Sequence, residues 1–287
     1  MIPSSEFIIN ADGSVFHLHL RPEQLADKIV ACGDPSRVDM IASFFDSVEC
    51  EVSSREFHTI HGTYKGKRIT AISHGIGPDN IDIVLTELDG LKNIDFATRE
   101  VKENLTSLEI VRIGTCGGLQ ENVPVGTSIV SELSIGFDGV LNWYANRDSI
   151  SDLGFEKSMV DFINYPEKAA RPYVVANNSE LAHRICGEDM VMGVTISAVG
   201  FYGPQGRVVR LPLASPDINQ RIEQFEYMGK RITNYEMESA PLAGLSRLLG
   251  HKAVTVCSVV ANRVAKNANS NYKDAIRNLI EKVLERI

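Results

Sequence analysis

The stretch Gly229-Lys230-Arg231-Ile232-Thr233-Asn234-Tyr235-Glu236-Met237-Glu238-Ser239 decides how this chain is read. Residues through Thr233 read as the approach of a strand, and Ala240 to Leu249 reads as a helix. Glu236 and Glu238, with Met237 between them, therefore sit near a strand-to-helix junction. In a parallel α/β sheet that is where ligand-binding groups gather. A carboxylate there can accept hydrogen bonds from sugar hydroxyls, and a methionine can pack on the apolar face of a ribose. The same residues also suit a plain helix start, because Glu in a first turn favours the helix dipole.

Upstream, two further segments run from a strand into a loop that can hold an anion. Lys28-Ile29-Val30-Ala31-Cys32 reads as a buried strand and leads into Gly33-Asp34-Pro35-Ser36-Arg37, then a helix from Val38 to Phe45. Gly33 allows close backbone approach, Pro35 suits a helix first turn, and a helix N-terminus beside Arg37 suits an anion. An ordinary strand–turn–helix link has the same signature. In the second segment an apolar strand from Leu108 ends at Arg112, followed by an expected loop, Ile113-Gly114-Thr115-Cys116-Gly117-Gly118. An arginine at so apolar a strand end needs a partner, and glycine-rich backbone beside Thr115 can cradle an anion.

Other elements follow from periodicity. A hairpin turn is expected at Lys65-Gly66-Lys67, a strand over 69–73 and a helix over 79–91. Gly75 and Gly77 lack the third glycine of a dinucleotide fingerprint. Residues 94–106 read as a solvated helix or loop, and 136–170 as a variable loop and helix region. Strands are expected over 126–130, 172–176, 190–197 and 251–260, with helices over 214–229 and 272–287. The loop Phe201-Tyr202-Gly203-Pro204-Gln205-Gly206-Arg207 presents an aromatic ring, an amide and a cation. Such a set can stack a flat ring and read its edge. Residues 1–27 read as irregular, with a short edge strand at Val15-Phe16-His17-Leu18-His19-Leu20. No cysteine or acidic ligand stands at useful spacing from these histidines, so no metal site is expected. A place near a sugar hydroxyl or on a subunit interface suits them better.

The chain has 287 residues, 44% of them hydrophobic, and no internal repeat, which suits one large α/β domain over 1–287. A net charge of −8 argues against nucleic acid as a partner. The five cysteines contain no CxxC pair and read as free thiols in a reducing compartment. The start of the chain lacks signal-peptide character and no apolar run has the length of a membrane span, so a cytoplasmic protein with no membrane partner is expected.

The segments Gly33–Arg37, Arg55-Glu56-Phe57, Arg112–Gly118, Phe201–Arg207, Asn234–Ser239 and Ala261-Asn262-Arg263, in that order, resemble the nucleoside phosphorylase family. That family includes uridine phosphorylase and the smaller-chain purine nucleoside phosphorylases. The resemblance runs from about Phe16 to the last helix. It implies a single α/β domain around a central mixed, partly barrel-like sheet flanked by helices, with residues 1–27 contributing to subunit contacts. Transferred position by position, it places phosphate at Gly33, Arg37, Arg112 and Thr115, with Arg55 supplied by a neighbouring subunit. Ribose falls to Thr115, Met237 and Glu238, with the neighbour's His17, and the base to Phe201, Gln205, Arg207 and Glu236. Arg112, Glu238, Arg207 and Gln205 would carry the catalysis.

Within the family the purine-cleaving members carry a proton-donating Asp where this chain has Ala261-Asn262-Arg263. Gln205 and Arg207 match the pair that reads uracil. The resemblance therefore implies phosphorolysis of uridine to uracil and ribose 1-phosphate in pyrimidine salvage. Phosphate would be a co-substrate and no cofactor would be needed. A nucleosidase or purine phosphorylase of the same fold, or a non-catalytic nucleoside-binding protein, are the alternatives. Cys116, Gly206 and Pro78-Asp79-Asn80 depart from the bacterial hexameric pattern. They favour a homodimer over a hexamer and leave open a monovalent cation at the dimer interface, near Glu56 and Asn80.

Overall fold

The computed structural model describes residues 1–268 and 271–287. Its strands are β1 (Lys28–Cys32), β2 (Ser47–Ser54), β3 (Phe57–Tyr64), β4 (Lys67–Ser73), β5 (Ile94–Asp95), β6 (Glu100–Val101) and β7 (Glu109–Gly118). They continue with β8 (Ser128–Gly136), β9 (Tyr173–Ala176), β10 (Val191–Ser197), β11 (Glu226–Tyr227), β12 (Lys230–Glu236), β13 (Lys252–Asn262) and β14 (Asn267–Ala268). The helices are α1 (Pro35–Ala42), α2 (Pro78–Asn93), α3 (Leu153–Ile163), α4 (Ser179–Cys186), α5 (Ile218–Gln224), α6 (Ser239–Leu249) and α7 (Lys273–Arg286).

Strands β12, β10, β8, β13 and β7 pair in that order, and β12 pairs again with β7, which closes a five-stranded barrel. The closing pairs are Asn234 with Gly118 and Tyr235 with Gly117. From β7 the sheet continues outward through β1, β4, β3 and β2. Pairing is mixed: β7 is parallel to β1 and β13 but antiparallel to β12. This is the α/β fold with a partly barrel-like mixed sheet that the resemblance implies. β1 lies between two parallel neighbours, and Ile29, Val30 and Cys32 are wholly buried, as a strand covered on both faces requires.

Helix α6 packs against β13, β8 and α2 and is buried from Ser239 through Ser246. It stops at Gly250, whose φ of 83° is the left-handed conformation that ends helices. Helix α7 covers the other side of the sheet with Ile276, Leu279, Ile280, Val283 and Leu284, spaced three or four apart on one face. Each contributes roughly 2 kcal/mol of burial. Among the described residues no helix is long and apolar enough to cross a membrane.

Several expectations need correction. Val15–Leu20 is a turn rather than an edge strand, because the buried carboxylate of Glu87 collects the amides of His17 and Leu18 and bends the chain around itself. The expected glycine-rich loop after Arg112 is strand through Gly118, held between β13 and β12. Residues 94–106 contain the small β5–β6 hairpin. The helix expected over 214–229 is confined to α5, because Met228 and Gly229 take positive φ and turn the chain into the β11–β12 hairpin. Helix α4 had no counterpart among the expected elements.

Candidate active site

Strands β1, β7 and β12 and the loop after β10 bring their residues to one cavity of about 820 Å³. Gly33 and Arg37 line it from the end of β1 and from α1, Arg112 and Thr115 from β7, and Glu236, Met237 and Glu238 from the junction of β12 with α6. Phe201, Gln205 and Arg207 line it from the loop after β10. Ten of the expected residues, far apart in sequence, thus share one space.

Arg112 is its electrostatic centre. The side chain is 5% exposed, and Nη1 lies 2.8 Å from Glu236 Oε2 while Nη2 pairs with Glu238. Nε donates to His74 Nε2 at 3.2 Å. Burial works against the charge of Arg112, but Glu238 and Glu236 together hold its pKa above the usual arginine value. The same burial pushes the Glu238 carboxyl up, against the pull of Arg112. Burial, reinforced by Arg112, drives His74 well below its ordinary range, so it accepts from Nε as a neutral ring.

The two glutamates have different environments. Glu236 accepts from Ser197 Oγ at 2.6 Å, Ser239 Oγ at 2.7 Å and the amides of Glu238 and Ser239 at 2.8 and 3.0 Å. It satisfies the open N-terminus of α6 and fixes Arg112, so most of its acceptor capacity is spent inside the protein. Glu238 accepts from the Gly77 amide at 2.8 Å. Gly77 has φ 107°, a backbone state that a side chain disfavours, and that state aims its amide at Glu238.

At the other end, Arg37 donates to the Ile113 carbonyl at 3.1 Å and, among the described residues, has no carboxylate partner. Its charge is free for an anion. A Cβ on Gly33 would stand 2.9 Å from the Gly75 carbonyl oxygen, so only glycine lets these two loops touch.

The loop after β10 is held from within. Arg207 Cζ lies 3.8 Å from the centroid of the Phe201 ring, and Nη1 donates to the Phe201 carbonyl and, at 2.6 Å, to Gln205 Oε1. That bond orients the Gln205 amide, leaving its NH2 free to donate. Burial, then the neighbouring Arg263, lowers the pKa of Arg207. Arg263 also donates to the Gln205 carbonyl and lies over the Tyr235 ring at 5.6 Å. Arg263 is a site residue for which the sequence carries no stated role; its place in Ala261-Asn262-Arg263 is the one available signal. Asn262 points away into structure: Nδ2 donates to the carbonyls of Gln120 and Val123, and Oδ1 accepts from the amides of Val264 and Ala265.

His17 and Arg55 do not line the cavity of their own chain. His17 Nδ1 is 2.6 Å from Glu87 Oε1, and the Phe16 ring lies between His17, edge-on at 4.8 Å, and Arg55, whose Cζ is 5.7 Å from its centroid. The two form one patch. Glu56 and Asn80 line the cavity wall. Among the described residues no group of three His, Cys, Asp or Glu side chains is placed to hold a metal.

Residues 27–287 match the model of the phosphorylase superfamily. The chain is 30% identical over 260 residues to the uridine phosphorylase of Escherichia coli, spanning 87% of this chain and 86% of the relative. It is 28% identical over 244 residues to a purine nucleoside phosphorylase of Aliivibrio fischeri, spanning 85% and 84%. Among solved structures it superposes on a Trypanosoma brucei nucleoside phosphorylase, described as showing uridine phosphorylase activity. The TM-score there is 0.88, with 29% identity and 98% of each chain covered.

Proposed function

The chain belongs to the phosphorylase superfamily, and from that premise we propose that it is a uridine phosphorylase, a pentosyltransferase converting uridine and phosphate to uracil and ribose 1-phosphate. The observation that carries the choice of base is the environment of Asn262. All its hydrogen-bonding capacity is spent on backbone, so among the described residues this position offers no proton to a departing purine. Gln205 and Arg207 supply instead what a uracil edge needs: an amide NH2 for one carbonyl, Oε1 for the ring N–H and a guanidinium for the other carbonyl.

In this reading Arg37, the Gly33 backbone and Thr115 hold phosphate beneath the sugar, with Arg112 behind it. Met237 packs on ribose and Glu238 accepts its hydroxyls. The bond to the base breaks ahead of phosphate attack. Positive charge grows on the ribose ring beside the phosphate dianion, and negative charge grows on the uracil oxygens facing Arg207. These interactions strengthen toward the transition state, which is what makes them catalytic. Uridine should be cleaved with a kcat/KM on the order of a hundredfold above that for inosine, the value of one well-placed transition-state hydrogen bond. Inosine cleaved as fast as uridine would instead support the purine reading.

The active unit in this reading is a homodimer. His17 and Arg55 sit together outside their own cavity, and Phe201 and the 74%-exposed Ile76 leave apolar surface at its rim. Mixing Arg55→Ala chains with Arg207→Ala chains should then restore about a quarter of wild-type activity. Half the dimers would be mixed and each would hold one intact site. A mixture as inactive as its components would place Arg55 in its own chain's site, and Arg55→Ala chains as active as wild type would place it outside any.

A further inference from the structure

Behind the base-reading loop lies a second cavity, of about 920 Å³, for which the proposed reaction has no use. Phe137 and Tyr165 line it with rings 4.9 Å apart, and Val199, Leu213 and Ile218 add aliphatic surface. Among the described residues one carboxylate, Asp138, reaches it. Oδ1 accepts from the Val140 amide and the Tyr173 hydroxyl, both at 2.8 Å, while Oδ2 takes only a 3.0 Å contact with that same hydroxyl. A carboxylate oxygen accepts two bonds, so Oδ2 keeps capacity toward the cavity. Arg207 is the one described residue that lines both this cavity and the nucleoside cavity.

We propose that this cavity is a second binding site, for a flat aromatic nitrogen heterocycle that gives Asp138 an N–H donor, and that its occupancy is felt at the nucleoside site through Arg207. Volume and apolar walls are those of a small-molecule pocket, and aromatic walls favour a flat ring. A carboxylate in such surroundings gains most from a donor. Burial raises the Asp138 carboxyl to about 6, so near neutrality both forms are populated. An aminopyrimidine edge suits the ionised form: its amino group donates to Oδ2, while Oδ1 stays with Val140 and Tyr173. The coupling half of the proposal rests on the reading of Arg207 as base-contacting; the binding half does not.

The test is calorimetric titration of the whole protein with 2-aminoquinazoline, beside quinazoline without the amino group. The amino compound should bind once per chain, and quinazoline on the order of tenfold more weakly, the value of one hydrogen bond to a charged group. Asp138→Asn keeps an acceptor for Val140 and should weaken binding on the order of tenfold. Leu213→Trp, which adds bulk to the second cavity and not to the nucleoside cavity, should do the same. Met237→Ala, on the nucleoside side and away from Arg207, should leave binding unchanged. No binding at about 1 mM, or equal affinity in wild type, Asp138→Asn and Leu213→Trp, would overturn the site. These readouts need no turnover, so they stand apart from the fate of the uridine reaction. With turnover, the probe should raise the KM for uridine and leave that for phosphate unchanged. Binding without that effect would overturn the coupling.

Discussion

Arg112→Ala is expected to lower kcat/KM for uridine phosphorolysis on the order of a thousandfold and to destabilise the fold by about 3 to 5 kcal/mol. Both effects come from one guanidinium. It is buried between Glu236 and Glu238, and its removal leaves two carboxylates in a dry site with no cation between them. Breaking a buried pair from one side is far more costly than the pair is worth, because the orphaned charge stays buried. The activity falls because the cation behind the phosphate is lost and the junction carboxylates lose their anchor.

Stability and pH separate this account from simple loss of packing. Burial already raises the Glu238 carboxyl, and Arg112 is the largest influence opposing that rise. Without Arg112 its folded-state pKa climbs further above the unfolded value. The folded state then binds more protons than the unfolded state, so stability falls as pH rises through the carboxyl range and beyond. The variant should therefore melt at a higher temperature at pH 5.5 than at pH 8, and adding Glu238→Gln should remove most of that dependence. A melting temperature with the same pH profile as wild type would mean that the guanidinium is not what keeps Glu238 ionised.

The second large effect is expected at Arg207. Arg207→Ala should reduce kcat/KM for uridine by on the order of a hundredfold, corresponding to about 3 kcal/mol for a charge-assisted hydrogen bond in a dry site. Phosphate affinity should hold, because the proposed phosphate-binding residues Gly33, Arg37 and Thr115 lie on other elements. Gln205→Ala should cost less, since a neutral amide responds more weakly to growing charge. Arg207 also ties together Phe201 and Gln205, so the variant's loop is looser. Arg207→Lys separates the two roles: lysine keeps the charge but not the planar guanidinium stacked on the Phe201 ring. If Arg207→Ala loses phosphate and uridine affinity together, the loop is scaffolding and its role in reading the base must be withdrawn.

Local pattern carried much of this architecture. β1 and Gly33–Arg37 were legible because an apolar run ends at residues with specific backbone demands. The Glu236–Glu238 junction was legible because a strand period changes to a helix period there. Barrel closure was not. Gly117 and Gly118 have no side chains to show a strand period, and their partners Tyr235 and Asn234 lie more than a hundred residues away. Burial argued that Arg112 needs a partner, but only the closed barrel shows that the partners are Glu236 and Glu238. Glu236 shows the limit of transferring a role by position, since its hydrogen bonds serve α6 and Arg112 before any base. The Asp138 cavity was invisible for a similar reason: its walls come from segments far apart in the chain that only the fold brings together.

If the cations converging on this cavity position a phosphate nucleophile, cleavage of uridine depends on phosphate. The most direct measurement is uracil release from uridine by the purified protein, followed with and without inorganic phosphate, with ribose 1-phosphate quantified in parallel. Release is expected only when phosphate is present, with one ribose 1-phosphate formed for each uracil. Release at an equal rate in phosphate-free buffer, with free ribose as the co-product, would contradict it and make the protein a nucleosidase.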